Sequence, residues 1–382
     1  RGRPSGYNPP PMTHSTLDHL PRTREAIEAG LRQGLHLGTQ IYVSRNGEPV
    51  ADTALGDDHP GSPLTRDHLM LWLSSTKPVA AVAVAQLWER GRLELDDPVA
   101  RHIPEFAQNG KEGITIRHLL THTGGIRMLD VGWPDRSWDE IIAKICAMRP
   151  EPRWAPGEKA GYHLASSWFI LGEVVRRADG RPFEAYVREE IFNPLEMRDS
   201  WIGMPPERYR AYREEGRIGV MWNTEKTPPE PQGWETEERC TRSSPGGNGY
   251  GPVRELGRFY EMLLGRGSYR GRRLLLAQTV DLFTSRQREG MVDATFKHVL
   301  DWGLGFIVNS NRYGADTVPY GYGHHASPVT FGHSGYRSST GFADPVHDLA
   351  VALAFNGTPA NEVHERRIRG VLDALYEDLG LS

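Results

Sequence analysis

A stretch of eleven residues beginning at Pro78, Pro-Val-Ala-Ala-Val-Ala-Val-Ala-Gln-Leu-Trp, is apolar on nearly every side. A surface helix would carry a polar face, so this pattern predicts a helix that is buried all round. Ser74 or Ser75 is a natural N-cap for it, Pro78 suits its first turn, and Gly91 is a natural stop. The chain must therefore build a fold that surrounds one central helix.

Strand patterns lie at both ends of the chain, and helical patterns lie between them. A helix is predicted from about Arg22 to Arg32, and a hairpin over 41–50, where Asn46-Gly47 supplies the positive φ angles of a type I′ turn. The other predicted helices are 137–148, 166–178, 183–192, 253–264 and 362–379, and the other strands are 304–309, 339–343 and 349–355. We expect an α/β (α+β) fold whose antiparallel sheet is built from both termini and flanked by helices, with an inserted, mostly helical domain.

The pattern also suggests where the domains divide. Residues 1–75 and 296–382 are expected to form the α/β sheet domain, and residues 76–295 the mostly helical domain. Within the latter, 203–248 is rich in proline and aromatic residues, which indicates a long loop region. The first ten residues are rich in Gly and Pro and indicate a tail.

Composition excludes several classes of function. The formal charge is −4 over 382 residues and no basic run is interleaved with aromatics, so we expect no nucleic-acid partner. The longest apolar runs are far shorter than the ~20 residues of a membrane-spanning helix, so we expect no membrane partner. Two cysteines are too few for a disulfide framework, and no signal-peptide pattern is visible, which favours the cytoplasm. The oligomeric state is not predicted.

Ser74 and Lys77 form the pair with the clearest chemical meaning. Of the 20 serines, only Ser74 has a lysine three residues later, and positions i and i+3 share one helix face. A nucleophilic serine needs a base for its proton and N–H donors for the oxyanion, and a helix N-terminus offers free N–H groups. A lysine held there would be desolvated, which lowers its pKa. The spacing alone favours a capping serine and a solvated lysine, but a lysine that enters a buried helix argues for the functional interpretation.

Five further segments stand in a fixed order along the chain. They are Leu95-Asp-Asp-Pro-Val99, Ile116-Arg-His-Leu-Leu-Thr-His-Thr-Gly-Gly125, Trp154-Ala-Pro-Gly-Glu158 followed by Tyr162, Pro194-Leu-Glu-Met197 and Gly332-His-Ser-Gly335. Together with Ser74-Ser-Thr-Lys77, this set resembles the serine β-lactamase and penicillin-binding-protein superfamily, in particular the class C β-lactamase-like esterases and transacylases. The resemblance covers roughly residues 20 to 378. It implies the β-lactamase-like fold and acyl transfer through a serine.

The resemblance assigns a role to each matching residue. Ser74 would be the nucleophile, Lys77 its proton partner, and Tyr162 a general base or proton shuttle. The Tyr162 phenol, beside donor or cationic groups, would then ionise more readily than a free tyrosine; the alternative is a packed core aromatic. The strand beginning at Gly335 and Tyr336 would run beside Ser74, and the N–H groups of Ser74 and of a residue near Tyr336 would form the oxyanion hole.

Two departures from the family pattern affect the expected substrate. The sequence reads Tyr162-His-Leu where the family has Tyr-x-Asn, and His333-Ser334-Gly335 where the family has Lys-Thr-Gly. A fixed positive charge is thus replaced by a titratable histidine, and the amide that helps to hold an acylamino side chain is missing. Both changes favour an uncharged ester or thioester. His333 is either an orienting donor or merely a strand residue, and Ser334, Gly335 and Tyr336 complete the predicted binding edge.

We therefore expect a serine hydrolase or acyltransferase of the β-lactamase-like type, which acylates Ser74 and passes the acyl group to water, an amine or an alcohol. Trp222 and Trp234 are expected to shape its pocket. The alternatives are a β-lactamase or D-amino-acid peptidase, and a non-catalytic binding protein that keeps the fold. No metal or organic cofactor is implied, because the histidines near His324 lack ligand spacing and no glycine-rich phosphate loop follows a strand.

Overall fold

The structure, a computed structural model, describes residues 16–127 and 130–382, so the Gly- and Pro-rich stretch 1–10 lies outside the described residues. Within those residues the largest sheet has eight strands, all in antiparallel pairs. Its strands are β1 (Gly38–Arg45), β2 (Glu48–His59), β3 (Ser62–Pro63), β4 (Asp301–Trp302), β5 (Ile307–Val308), β6 (Phe331–Ser334), β7 (Ser339–Asp344) and β8 (Leu349–Phe355). The spatial order is β4-β5-β6-β7-β8-β1-β2-β3. Because β1 pairs with β8, the prediction of one sheet built from both termini is confirmed.

Helices flank this sheet and fill the middle of the chain. They are α1 (Pro21–Arg32), α2 (Lys77–Glu89), α3 (Val99–His102), α4 (Ile116–Leu120), α5 (Trp138–Ala147), α6 (Ser166–Asp179), α7 (Phe183–Val187), α8 (Pro206–Glu214), α9 (Glu237–Thr241), α10 (Val253–Leu264), α11 (Ala277–Thr284) and α12 (Asn361–Asp378). Short 3₁₀ turns cover Leu17–His19, Leu73–Thr76, Pro104–Ala107 and Asn311–Tyr313, and Arg188–Phe192 is a π-helical turn. Smaller sheets join Met70–Leu71, Gly249–Gly251 and Trp201–Ile202; Trp222–Asn223 and Glu230–Pro231; Ser268–Tyr269 and Arg272–Arg273; and Val292–Asp293 and His298–Val299.

Strand β8 shows how the sheet separates two helical layers. Its three alanines pack in the core that contains α10, whereas its larger residues pack in the core that contains α1 and α12. The small residues let α10 approach closely: a Cβ added at Gly257 would lie 2.2 Å from the ring of Tyr42. Helix α10 thus packs directly on the sheet although it lies within the predicted helical segment 76–295, and the two-domain division stays a prediction.

Local signals placed the N-terminal hairpin correctly. Asn46 and Gly47 have φ angles of 53° and 75°, as a type I′ turn requires, and they join β1 to β2. Gly34 (φ 69°) follows α1, and Gly180 (φ 96°) caps α6, both at the predicted stops. These elements formed where their sequence signals are strongest.

Helix α2 is the predicted buried helix, but its start differs from the prediction. It begins at Lys77, and its N-cap, Thr76, has helical dihedral angles and no side-chain cap bond. Ser74 and Ser75 lie in the preceding 3₁₀ turn, whose backbone continues directly into α2 through the bond from the Lys77 N–H to the Ser74 carbonyl. The turn satisfies the backbone without a serine cap, so the Ser74 hydroxyl remains available for other contacts.

The segment 203–248 is more ordered than the long loop region predicted for it. It contains α8, a short hairpin and α9, and its buried residues form a small core together with Leu69, Leu71 and Tyr250. Tyr209 and Tyr212, three residues apart on one face of α8, are buried in that core with Cys240. The i, i+3 spacing of the two tyrosines was the signal for this helix.

Candidate active site

The 3₁₀ turn that carries Ser74 is hydrogen-bonded to the adjacent ends of β6 and β7. Leu73, just before Ser74, has a φ of 51°, a conformation that a leucine adopts only when its surroundings impose it. The Ser75 hydroxyl donates a hydrogen bond to the His333 carbonyl oxygen (3.0 Å), and the Ser339 hydroxyl donates one to the Trp72 carbonyl oxygen. Ser74 itself is 6% exposed. The strands therefore fix the backbone of the predicted nucleophile.

Lys77 is fully buried with its Nζ 3.0 Å from the Ser74 Oγ. The same Nζ lies 2.7 Å from the Gly246 carbonyl oxygen and 3.0 Å from the Leu164 carbonyl oxygen. Burial, with no compensating charge, holds the pKa of Lys77 well below its usual range. Carbonyl oxygens only accept, so the two N–H groups of a neutral amine go to them. The nitrogen lone pair is then left for the Ser74 hydroxyl proton.

Leu164 stands where the family pattern has asparagine. Its carbonyl oxygen is one of the two acceptors that hold Lys77, while its side chain is 45% exposed. The position thus supplies a main-chain acceptor to the base and an apolar surface to solvent. An acylamino group would find no side-chain amide here.

Tyr162 lies beside this pair, with its ring centroid 5.1 Å from the Lys77 Nζ. Its hydroxyl is buried and forms no hydrogen bond of normal geometry with any residue in 16–127 or 130–382. Burial raises the pKa of Tyr162 well above its usual value, and the nearby Ser74 hydroxyl works in the opposite direction. The expectation that this phenol ionises readily is therefore wrong for the free protein, because desolvation outweighs the neighbouring donors. Tyr162 is a neutral acid poised beside the nucleophile.

A buried ion pair that the sequence did not reveal holds the backbone of Tyr162. Asp293 accepts hydrogen bonds from the N–H groups of Tyr162 (3.0 Å) and Phe296 (3.1 Å). Arg288 pairs with Asp293 at 3.1 Å and also donates to the Thr121 carbonyl oxygen. The pair lies more than a hundred residues from the Tyr162 motif, so no local pattern pointed to it.

His122 is a second positioning residue, and here the sequence did carry a signal. It belongs to the Ile116–Gly125 segment quoted for the family resemblance. Its Nδ1 accepts the His163 N–H (2.9 Å), its carbonyl oxygen accepts the Gly161 N–H (3.0 Å), and its ring lies 4.8 Å from that of Tyr162. A φ of 57° shows that the surrounding fold imposes this geometry. His122 thus orients the segment that bears the phenol.

His333 closes the site from β6, but it does not supply the charge of the family's lysine. Its Nδ1 lies 2.8 Å from the Ser334 carbonyl oxygen, which only accepts, so Nδ1 carries the proton and Nε2 keeps a lone pair. Burial, and next the proximity of Lys77, hold the pKa of His333 well below its usual value. The predicted titratable histidine is thus a neutral imidazole at physiological pH. Its ring centroid lies 5.9 Å from that of Tyr162.

The predicted binding edge follows directly after His333. A Cβ at Gly335 would lie 2.5 Å from the Trp72 carbonyl oxygen, so only glycine lets the strand meet the nucleophile turn. The Ser334 hydroxyl donates to Thr340, and Tyr336 is 45% exposed. Among the described residues, no backbone acceptor takes the N–H of Ser74 or of Tyr336. Both donors therefore remain available to an oxyanion.

Trp222 and Trp234 lie in other surroundings. The Trp222 indole N–H donates to the Asp58 carbonyl oxygen (2.8 Å), and the Trp234 carbonyl oxygen accepts the Tyr250 hydroxyl. Across the described ranges, neither indole stacks on or hydrogen-bonds to the groups assembled around Ser74. Their predicted role in shaping the pocket stays a prediction.

Acid should destabilise this protein through its buried imidazoles. Seven histidines among the described residues have pKa values lowered chiefly by burial, and they are His36, His68, His118, His122, His163 (to about 3), His333 and His364. Below pH ~6.5 these histidines bind protons more readily in the unfolded chain than in the folded chain. Each histidine therefore lowers the free energy of unfolding by up to about 1.4 kcal/mol per pH unit. We expect the urea midpoint to fall between pH 7 and pH 5.5. Glu365, whose pKa burial raises to about 7, opposes this trend, and an unchanged or higher midpoint would contradict the prediction.

The described residues contain neither a membrane-spanning helix nor a metal cluster. No helix within 16–127 or 130–382 is both long and apolar enough to cross a bilayer. In the same residues, no three or more His, Cys, Asp or Glu side chains are grouped as metal ligands. His324, one of the adjacent histidines of the sequence, instead contacts Asp373 and Asp316.

The chain is similar to known proteins over most of its length. A family model described as Beta-lactamase matches residues 23–376. Esterase EstB of Burkholderia gladioli is 29% identical over 362 residues, which cover 88% of this chain and 90% of that protein. A penicillin-binding-protein homologue from Caulobacter crescentus has a TM-score of 0.79 at 29% identity, covering 96% of this chain and 99% of that one. A family VIII carboxylesterase has a TM-score of 0.76 at 26% identity, with coverages of 95% and 98%.

Proposed function

This chain belongs to the β-lactamase family and is a serine hydrolase of that type, and we propose that it takes acyl groups from small, uncharged esters or thioesters. It forms an acyl-enzyme on Ser74 and passes the acyl group to water or to an amine or alcohol. The observation that carries the proposal is the fully buried Lys77 Nζ, which lies 3.0 Å from the Ser74 Oγ.

Acylation begins with removal of the serine proton. As the Ser74 Oγ bonds to the acyl carbon, its proton passes to the Lys77 Nζ, and the carbonyl oxygen becomes an oxyanion. The N–H groups of Ser74 and Tyr336 donate to that oxyanion, because neither is engaged by another backbone acceptor among the described residues. The ammonium formed on Lys77 stays bonded to the carbonyl oxygens of Leu164 and Gly246.

Collapse of the tetrahedral intermediate needs an acid for the leaving group. Tyr162 holds its proton at neutral pH, so it donates to the departing alkoxide or thiolate as the acyl carbon–heteroatom bond breaks. Lys77 then returns the serine's proton to Tyr162. Deacylation repeats the steps in reverse order, with water or another acceptor as nucleophile and Lys77 or Tyr162 as the base.

The charge of the site supports an uncharged acyl donor. His333 is neutral, and Leu164 presents an aliphatic side chain. The nearby Arg337 guanidinium already pairs with Glu225. A carboxylate-bearing β-lactam or peptide would therefore meet no free cation from these residues.

A pair of donors tests the substrate class. We expect p-nitrophenyl butyrate to be turned over with a kcat/KM at least about tenfold above that of p-nitrophenyl hemisuccinate, which adds only a carboxylate at similar chain length. His333→Lys should narrow this ratio. An equal or reversed preference, or rapid turnover of a chromogenic cephalosporin, would favour the β-lactamase or D-amino-acid peptidase alternative. Absence of turnover for every donor would favour a binding protein.

The acceptor is identified by product analysis in the same reactions. An amide that forms in proportion to an added amine would show transfer, whereas the free acid alone would show hydrolysis. Exclusion of water from the acyl-enzyme decides between these outcomes, and it depends on loop geometry around the site.

Replacing Trp222 or Trp234 by Ala should change substrate preference more than stability. The expected result is a shift in relative kcat/KM across acyl donors of increasing length, with a change in urea midpoint that stays small. Trp88→Ala, at the far end of α2, is a matched control that removes another half-buried indole. Identical donor profiles for wild type and both tryptophan variants would refute the assignment.

A further inference from the structure

Arg367, on α12, carries a buried guanidinium that has no carboxylate partner among the described residues. Only 7% of the residue is exposed, and burial lowers its pKa to about 9. It donates instead to three main-chain carbonyl oxygens: those of Leu35 (2.7 Å), Arg337 (3.1 Å) and Gly357 (3.1 Å). A buried charge without a counter-ion is expensive, so these three contacts must matter to the fold or to the site.

The other neighbours of Arg367 within 16–127 and 130–382 are two imidazoles and one aromatic ring. Its guanidinium lies 2.8 Å from the His364 Nδ1 and 3.3 Å from the His36 Nδ1. A guanidinium only donates, so both imidazoles accept with neutral rings, in agreement with their lowered pKa values. The ring of Phe355 completes the surroundings, 3.9 Å from the guanidinium.

The three carbonyl oxygens belong to three connecting segments, of which the one between β6 and β7 packs against the turn that carries Ser74. Leu35 connects α1 to β1, and Gly357 follows β8. Arg337 lies in the turn between β6 and β7 and directly follows Tyr336. Arg337 has a φ of 48°, which a non-glycine residue adopts only when other contacts hold it. The bond from Arg367 to the Arg337 carbonyl oxygen is such a contact.

We propose that Arg367 is a positioning residue that holds the β6–β7 turn so that the Tyr336 N–H is aimed at the oxyanion. The inference rests on the proposed function, in which this N–H and that of Ser74 bind the oxyanion. Arg367 acts through the backbone of the turn and touches no substrate. The Ser338 hydroxyl bond to the Phe355 carbonyl (2.6 Å) fixes the other side of the same turn to β8. Loss of the guanidinium would remove the hydrogen bond that holds the Arg337 carbonyl oxygen in this turn.

The test separates transition-state binding from ground-state binding. Arg367→Met should lower kcat for p-nitrophenyl butyrate about 10- to 100-fold, because a small misplacement of an oxyanion donor is costly, with little change in KM. Affinity for phenylboronic acid, which forms a tetrahedral adduct on the serine, should fall by a similar factor. Arg366→Met, which alters the exposed neighbour on α12, should change neither quantity. All rates are referred to competent sites counted by burst titration.

Three variants show how the inference or the proposed function could fail. A folded Arg367→Met with wild-type kcat and boronate affinity would overturn the inference. Where Arg367→Met does not fold, Arg367→Lys takes its place: it keeps a buried cation but cannot reach all three carbonyl oxygens, and wild-type kcat in that variant would equally overturn the inference. Ser74→Ala is the control for the underlying function. If it binds phenylboronic acid as tightly as wild type does, the proposed function fails and not merely the role of Arg367.

Discussion

Replacing Lys77 by Met lowers the rate of Ser74 acylation about 10³-fold or more, because the variant has no base beside the serine hydroxyl. Methionine fills a similar volume without a desolvated amine. The carbonyl oxygens of Leu164 and Gly246 lose their donor, which costs about 1–3 kcal/mol for each group left unsatisfied. Stopped-flow release of p-nitrophenol in a single turnover measures the acylation rate, and urea unfolding measures the stability separately.

The chain offers a matched control for this substitution. Lys111 is also fully buried and also donates to main-chain carbonyl oxygens, in its case those of Gln108, Cys146 and Met148. Lys111→Met should therefore reduce stability in a similar way and leave the acylation rate of folded protein near that of wild type. Equal losses of acylation rate in both variants would mean that Lys77 acts through the fold rather than as a base.

Tyr162→Phe has the second-largest expected effect, and its size should depend on the leaving group. Removal of a general acid costs about 10²- to 10⁴-fold in rate when the leaving group needs a proton. An alkyl ester leaves as a basic alkoxide and should show the full loss, whereas a p-nitrophenyl ester leaves as a stable phenolate and should show much less. The measurement is kcat/KM of wild type and variant for both esters with the same acyl group.

Stability gives an independent check on the Tyr162 variant. Its hydroxyl is buried and forms no hydrogen bond of normal geometry among the described residues, so its loss should leave the urea midpoint unchanged or raised. Tyr260→Phe removes another buried hydroxyl of the same kind, on α10, and should not change the preference between the two esters. A loss that is equal for alkyl and p-nitrophenyl esters would contradict the role of Tyr162 as the acid.

Elements with strong local signals were predictable from the sequence. The Asn46-Gly47 pair defines its hairpin because few residues tolerate two successive positive φ angles. Strand β8 alternates small and large apolar residues, which is the period of a sheet packed on both faces. The spacing of Ser74 and Lys77 identified the central pair, since a lysine at the start of an entirely apolar helix must lose its hydration, which a surface lysine keeps.

Properties that depend on tertiary burial were not predictable. The sequence suggested a Tyr162 that ionises readily and a titratable His333, and both are neutral in the fold because desolvation is set by elements far away in the chain. The start of α2 was misplaced since the strands clamp the preceding residues into a 3₁₀ turn. The Arg288–Asp293 pair that supports Tyr162 follows from the tertiary fold alone.

Acylation of Ser74 is the step on which the proposed reaction depends. Intact-protein mass spectrometry of samples quenched soon after mixing with p-nitrophenyl butyrate tests it directly, with wild type beside Ser74→Ala. We expect a transient adduct of one butyryl group on wild type, mapped by proteolysis to the peptide that contains Ser74, and none on the variant. An adduct of equal yield on Ser74→Ala, or p-nitrophenol release no faster than that of the variant, would contradict it.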